Sequence, residues 1–254
     1  MLNVICTVIQ NEPLGDGIYE MVLNSASVAA TALPGQFLHI KINSSLYPLM
    51  RRPISIHCVD RNQGRISILY HVRGIGTESL SKMATGSTLD ILGPLGKGFP
   101  VCKGQRCAVV GGGIGIAPLL ELAKELDGGD AYLGFRDHVY KTAEFEKLCA
   151  SVYVATENGT TGYEGYVTDL LEKNITRYDV VYSCGPKPML QRVMALCLKN
   201  GVECYVSLEE RMGCGIGACL VCACKVLGED GQWHHRKACK DGPVFNAREV
   251  VFDD

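Results

Sequence analysis

Two different hydrophobic rhythms divide the chain. Up to about residue 98 the apolar positions come in short runs with a period of two, as in Ile66, Ile68 and Tyr70, and clusters of Gly, Pro, Asn and Asp separate the runs. Strands are expected over 4–9, 18–23, 37–42, 53–58, 65–72 and 88–92, with no long helix among them. Half-apolar strands in that number close most readily as a small antiparallel barrel. The sequence Gly93-Pro94-Leu95-Gly96-Lys97-Gly98-Phe99 reads as a stiff turn that closes the barrel and leads to the next unit.

From Arg106 onward fully apolar runs alternate with helical periodicity. Strands are expected at 107–110, 131–135, 152–155, 180–184 and 204–207, and helices at 119–126, 141–149, 166–171 and 188–200. Such alternation predicts a doubly wound parallel α/β sheet. Asn158 to Gly165 reads as a mobile glycine-containing loop. The expected division is 1–99 for the barrel, 100–203 for the α/β domain and 204–254 for a small cysteine-rich unit. No internal repeat or low-complexity segment interrupts this plan.

Composition narrows the chemistry. With 254 residues, 47% of them hydrophobic, the chain has ample material for a core. A formal charge of −2 without long basic runs gives no electrostatic footprint for nucleic acid or anionic membrane. No run of about 18 apolar residues is present to span a bilayer, and the first ten residues lack the pattern of a secretory signal. Thirteen cysteines, several of them in expected core strands (Cys6, Cys107, Cys184, Cys204), suit a reducing cytoplasm better than a disulfide framework.

The densest chemical signal is the C-terminal cysteine array. Cys214, Cys219, Cys222 and Cys239 stand as Cys-x4-Cys-x2-Cys with a fourth partner downstream, the plant-type spacing for a [2Fe-2S] cluster. Gly213, Gly215 and Gly217 allow the backbone to wrap closely where side chains would obstruct it. A structural zinc site also takes four cysteines, but usually as two separated Cys-x2-Cys knuckles, and only Cys219–Cys222 has that form. Cys224 reads as a buried bystander beside Val226. His234 and His235 read as exposed loop residues rather than the two histidines of a Rieske centre.

Three further motifs concern anions. Arg51-Arg52-Pro53-Ile54-Ser55-Ile56 offers a guanidinium and a hydroxyl to a diphosphate, against the alternative of an ordinary edge strand. Arg73-Gly74-Ile75-Gly76-Thr77 places Thr77 as an expected N-cap, with backbone N–H groups free for the same anion. The glycine turn Gly111-Gly112-Gly113-Ile114-Gly115-Ile116-Ala117-Pro118 between a buried strand and a helix is a phosphate cradle, although it is not the dinucleotide fingerprint Gly-x-Gly-x-x-Gly. Pro118 suits the first helical turn. Ser183-Cys184-Gly185-Pro186 ends another strand at the carboxyl edge, where open α/β sheets bind ligands.

Taken in order, Arg52-Pro53-Ile54-Ser55, Gly76-Thr77, the glycine turn, Cys184-Gly185-Pro186 and the cysteine array resemble the ferredoxin reductase superfamily. The ending, Glu209-Glu210-Arg211-Met212-Gly213-Cys214 through Cys219 with Cys239-Lys240-Asp241-Gly242-Pro243-Val244-Phe245, resembles the electron-transfer subunits of class 1B dihydroorotate dehydrogenases over nearly the whole chain. That resemblance implies FAD on Arg52, Pro53, Ile54 and Ser55, lined by Leu69, Tyr70 and His71, with its pyrophosphate at Gly76 and Thr77. It implies an NAD site at Gly111, Gly112, Gly113, Gly115, Cys184, Gly185 and Pro186, and a [2Fe-2S] cluster on Cys214, Cys219, Cys222 and Cys239. It further implies an FMN-containing catalytic partner that oxidises dihydroorotate to orotate for pyrimidine synthesis, in a heterotetramer of two chains of each kind. Electrons would run from FMN to the cluster, to FAD and to NAD+. A hydride carrier and a one-electron carrier need a flavin between them. No acid/base constellation for oxidising a dihydropyrimidine is visible in the chain, so that chemistry is expected on the partner. The alternative within the same scaffold is the small subunit of an NAD(P)H:ferredoxin or sulfide-linked oxidoreductase. Arg136 and Asp137 leave the dinucleotide open, arginine pointing to a 2′-phosphate and aspartate to ribose hydroxyls.

Overall fold

The computed structural model describes residues 2–42 and 48–252. Six strands form the closed antiparallel barrel: β1 (Leu2–Gly15), β2 (Ile18–Asn24), β3 (Phe37–Lys41), β4 (Arg52–Asp60), β5 (Arg65–His71) and β6 (Thr88–Leu95), ordered β1-β2-β5-β4-β3-β6. The period-two pattern sorts their faces as expected. Leu38, Ile40, Ile56, Ile66, Ile68 and Tyr70 fill the interior, while Phe37 and Leu69 join the cores outside it. Strand β6 runs on through Leu95, so the expected turn at Gly93-Pro94 is the end of a strand that pairs with both β1 and β3. Two short helices decorate the barrel. Helix α1 (Ala26–Thr31) packs Val28 and Ala29 into its core, and α2 (Ile75–Ser81) follows β5.

The second sheet has the order β10-β9-β8-β7-β11-β12-β15. Its strands are β7 (Cys107–Gly112), β8 (Asp130–Phe135), β9 (Val152–Thr156), β10 (Tyr163–Glu164), β11 (Val180–Cys184), β12 (Glu203–Ser207) and β15 (Val244–Asn246). The first six are parallel, and β15 closes the far edge antiparallel to β12. Because neighbouring residues of a strand face opposite sides, Ala108 and Val110 pack with α5 (Val167–Asn174) and α6 (Lys187–Asn200). Cys107 and Val109 pack with α3 (Leu119–Glu125) and α4 (Thr142–Glu146) on the other face. The sheet is doubly wound, and the continuous apolar runs reflect burial on both faces.

Several boundaries differ from expectation. Helix α4 is five residues long, because Lys141 takes a left-handed φ of 63° and the chain after Glu146 closes in turns onto Phe145. Pro118 is the N-cap of α3, after a short 3-10 turn at Gly113–Ile116. The loop expected to be mobile is tied down: Thr156 Oγ1 donates to Thr161 O, Thr160 Oγ1 donates to Asp137 O, and Tyr163–Glu164 adds an edge strand.

The remaining strands, β13 (Ala223–Leu227), β14 (Trp233–Lys237) and β16 (Val250–Val251), make a three-stranded sheet. His234 and His235 are exposed as expected but lie on strand β14, not in a loop. Cys224 is buried on β13. Cys222, Val226, Ala238, Cys239 and Phe245 share one core with α6 and the sheet, and both β12 and β15 lie in that sheet, past the expected boundary at 203. The cysteine-rich segment therefore grows out of the sheet edge instead of hanging from it.

The barrel is locked to the α/β unit by a buried carboxylate. Glu121, 1% exposed on α3, accepts from Val59 N at 2.8 Å, from Arg61 at 3.1 Å and from Lys124 at 2.9 Å. Beside it, His57 Nδ1 lies 2.9 Å from Ala117 O. Among the described residues no helix is long and apolar enough to cross a membrane.

Candidate redox centre

The expected flavin residues separate into two groups. Pro53, Ile54, Ser55, Leu69, Tyr70 and His71 line one cavity of about 390 Å³ between the barrel and the carboxyl edge of the sheet. Arg52, Gly76 and Thr77 lie outside that wall, and Arg52 packs on Gly76. A Cβ on Gly76 would sit 2.6 Å from Arg52 Nε and 2.9 Å from its Cζ, so only glycine lets the guanidinium lie against the first turn of α2. The neighbouring arginine does something else: Arg51 donates to Asp90 Oδ1 at 2.8 Å and to the carbonyls of Asp90 and His39, which ties it into the barrel wall. Thr77 is the third residue of α2, not its N-cap. Gly74 is the cap, and Thr77 Oγ1 accepts from the N–H groups of Arg73 at 2.9 Å and Gly74 at 3.3 Å.

Strand alternation distributes the β5 residues. Leu69 faces the sheet, while the Tyr70 ring enters the barrel, stacks on Tyr19 at 5.6 Å and donates to Asn11 Oδ1 at 2.8 Å. Burial pushes its phenol up. At His71, Arg73 Nε donates to Nδ1 at 3.1 Å, and burial, with the Arg73 charge in support, lowers the imidazole pKa. Residues not foreseen complete the cavity: Phe37, Ile114, Ala117 and the segment Ser207 to Glu210 with Met212. The Glu209 side chain is reached by solvent, yet its carboxyl sits in the concave wall, and desolvation raises its pKa against the pull of Arg73.

The expected dinucleotide residues pack on one another. Gly115 meets the end of β11 so closely that a Cβ would lie on the Cys184 carbonyl, and Gly185 approaches the Gly112 backbone. Gly112, Gly113 and Pro186 open onto a second cavity of about 650 Å³. Gly111 lies buried in β7, and Cys184 faces the flavin-side cavity instead. The second cavity is completed by Arg136, Glu157, Tyr166, Asp169, Met189 and Arg192. Asp137 is absent from its lining, and Asp137 Oδ1 accepts from the His138 N–H. Tyr166, 62% exposed just before α5, and Glu157, just past β9, could have been sought at the carboxyl ends of the strands, the ordinary ligand edge of such sheets.

The four array cysteines come together as two pairs. Cys214 and Cys219 Sγ lie 3.3 Å apart, and so do Cys222 and Cys239 Sγ. Among the described residues no three His, Cys, Asp or Glu side chains gather around one point. Two thiolates per iron is what a two-iron cluster requires, whereas one tetrahedral zinc would collect all four thiols. Backbone N–H groups point at the sulfurs: Gly217 N to Cys239 at 3.1 Å and Cys219 N to Cys214 at 3.3 Å. At Cys214 desolvation opposes ionisation, but the N–H groups of Cys219, Ile216 and Ala218 outweigh it and bring the thiol to about 6. Lys237 Nζ holds the loop through Gly217 O at 2.6 Å.

A barrel, a doubly wound sheet and a paired-cysteine loop around one cavity define a reductase of the ferredoxin reductase type with an iron–sulfur segment attached. A solved NADH-dependent reduced ferredoxin-NADP oxidoreductase superposes with a TM-score of 0.86 at 27% identity, over 98% of this chain and 90% of that one. The ferredoxin reductase of carbazole 1,9a-dioxygenase shares the fold, with a TM-score of 0.66 at 19% identity, over 79% of this chain and 66% of that one. Residues 209–251 match the iron–sulfur cluster binding domain of dihydroorotate dehydrogenase B. The electron transfer subunit of dihydroorotate dehydrogenase B (NAD(+)) from a Geobacillus species is 43% identical over 254 residues, 96% of this chain and 97% of that one. That of Caldanaerobacter subterraneus is 44% identical over 247 residues, again 96% and 97%. The chain belongs to this family of electron transfer subunits.

Proposed function

We propose that this chain carries electrons between NAD and an FMN-bearing catalytic subunit, in the net reaction dihydroorotate + NAD+ → orotate + NADH + H+. The observation that carries the reading is the path of one segment: Ser207 to Met212 leaves the carboxyl end of β12, forms a wall of the flavin-side cavity and runs directly into Cys214. When bound, FAD, NAD and a [2Fe-2S] cluster supply hydride exchange on one side and one-electron relay on the other. The chain's own residues bind, orient and shield them.

In this reading Arg52 and the backbone of Gly76 and Thr77 hold the FAD diphosphate. Pro53, Ile54, Ser55, Leu69, Tyr70 and His71 enclose the ring, Tyr70 through its backbone because its side chain is committed to the barrel. Gly111, Gly112, Gly113 and Gly115 with Cys184, Gly185 and Pro186 shape the dinucleotide site, and Cys184 marks where it opens towards the flavin. Glu157 accepts from ribose hydroxyls and disfavours a 2′-phosphate, which supports NAD over NADP. Cys214, Cys219, Cys222 and Cys239 hold the cluster. Around them Leu49, Met50, Ile216, Leu220 and Val221 are exposed apolar side chains, an array suited to a protein partner and consistent with a heterotetramer of two chains of each kind in the cytoplasm.

The likeness to an NADH-dependent ferredoxin-NADP oxidoreductase keeps a second reading in view, in which the partner is a different electron-transfer chain. Measuring NADH–dye and dihydroorotate–NAD+ rates on one preparation separates them. The isolated chain is expected to reduce dyes with NADH and to leave dihydroorotate untouched, and dihydroorotate–NAD+ activity is expected only once the FMN subunit is added. Dihydroorotate oxidation by the lone chain sinks the proposal, and a reconstituted complex without that activity favours the second reading.

A further inference from the structure

We propose that His39 is the barrel's hydrogen-bond donor to the iron–sulfur cluster, a positioning residue that raises the cluster's reduction potential. The inference rests on the assignment of a [2Fe-2S] cluster to the four array cysteines.

His39 lies on β3 between Leu38 and Ile40, whose side chains fill the barrel. Its own side chain must therefore face outward. An outward polar ring on a barrel ordinarily meets water, yet His39 is 1% exposed. The cysteine loop covers it. Gly215, next to Cys214, has a left-handed φ of 72°, and a Cβ there would lie 2.5 Å from His39 Nδ1. The loop thus presents a residue without a side chain to the imidazole.

Despite that close packing, neither His39 ring nitrogen has a hydrogen-bond partner among the described residues. The backbone of Cys214 and of Arg51 borders the ring without meeting hydrogen-bond geometry. Buried polar groups are almost always satisfied, so an imidazole unpaired at both nitrogens among the described residues calls for a further partner. Whatever its protonation state, the ring carries at least one N–H. Besides the poorly aligned backbone of Cys214 and Arg51, the acceptors that a loaded Cys214 loop would bring to this place are the sulfurs of the cluster and its thiolates.

The position suits the role. Across the barrel His39 pairs with Pro53, and Phe37 precedes it on the same outward face; both line the flavin-side cavity. Arg51 donates to His39 O at 3.2 Å and to Asp90 at 2.8 Å, which fixes the backbone beneath the ring. The other N–H groups directed at the sulfurs are backbone groups of the loop itself. His39 adds a side chain from a different unit, at the wall shared by cavity and cluster. Hydrogen bonds to cluster sulfur stabilise the added electron and raise the potential.

The test uses holoprotein with FAD and cluster loaded. In an EPR-monitored redox titration, His39→Leu is expected to move the cluster midpoint to more negative potential by at least a tenfold change in its equilibrium, 59 mV for a one-electron couple, while the FAD midpoint stays put. His39→Gln keeps an N–H and is expected to stay near wild type. Pulsed EPR of the wild-type protein labelled with 15N-histidine is expected to show a histidine nitrogen coupled to the reduced cluster, lost in His39→Gln; this arm also decides the matter if His39→Leu fails to take up its cluster. A wild-type midpoint in loaded His39→Leu, or no histidine coupling in the labelled protein, overturns the proposal. A reduced wild-type protein with no [2Fe-2S] signal at all instead removes the cluster assignment beneath it.

Discussion

Arg52 and Gly76 are separated by more than twenty residues of sequence, but the guanidinium lies against the glycine so closely that the two should act as one site. Replacing Arg52 by Ala removes a charge-assisted contact to the FAD diphosphate, worth about 1.5–3 kcal/mol. At about 1.4 kcal/mol per decade, that is roughly a ten- to hundredfold rise in Kd. Gly76→Ala leaves every charge in place, and Gly76 has no positive φ, so the new methyl acts only by displacing the guanidinium, which its Cβ would approach to 2.6 Å. Its effect on FAD should be of the same sign and smaller than that of Arg52→Ala, because a long side chain can recover part of the contact. In the double variant the methyl has nothing left to displace. The two losses are expected to be strongly non-additive, with Gly76→Ala nearly silent in the Arg52→Ala background. Titrating apoprotein with FAD and following flavin fluorescence gives all four Kd values. Additive losses, or an unchanged Kd in Arg52→Ala, would refute the clamp and return Arg52 to an ordinary solvated edge.

Four further outcomes are expected. Cys219→Ser should lose the cluster while keeping FAD, read from iron content and the flavin spectrum, because the cysteine pairs and the barrel contacts share no side chain. Leu220→Asp, at a residue 70% exposed, should weaken assembly with the FMN subunit in size-exclusion chromatography and spare NADH–dye activity. Glu157→Arg should lower KM for NADPH relative to NADH in the dye assay, by putting a cation where a 2′-phosphate would lie. Glu121→Ala orphans the buried Val59 N–H, about 1.5–3 kcal/mol, and weakens ion pairs to part-exposed Arg61 and Lys124, discounted to about 0.5–1 kcal/mol each. At about 2–4 °C per kcal/mol, the melting temperature should fall by roughly 5–20 °C in a calorimetric scan. An unchanged value would show that the barrel is not clamped through Glu121.

The amino-acid sequence by itself determined whatever depends on near neighbours. Alternation at Ile66, Ile68 and Tyr70 marks a half-buried strand because side chains alternate across a sheet, and the apolar runs at 107–110 and 180–184 mark strands buried on both faces. The four cysteines lie within 26 residues, so their spacing alone restricts what they can bind. Tertiary structure decided what depends on which distant surfaces meet. Neither Gly76 nor Arg52 carries a local sign of the other. Tyr70 lines the flavin-side cavity, but only the fold shows that β5 turns its ring inward to Asn11, since one step along a strand exchanges the two faces. Arg136 and Asp137 are equal candidates for the dinucleotide in the sequence, and of the two only Arg136 lines the cavity, joined by Glu157 just past the next strand. His39 and Glu121 give no local signal at all, one a polar residue in an apolar strand and the other a charge on an amphipathic helix. Their burial comes from the cysteine loop folding over the barrel and from the barrel docking on α3, and such long-range contacts leave no periodicity in the chain.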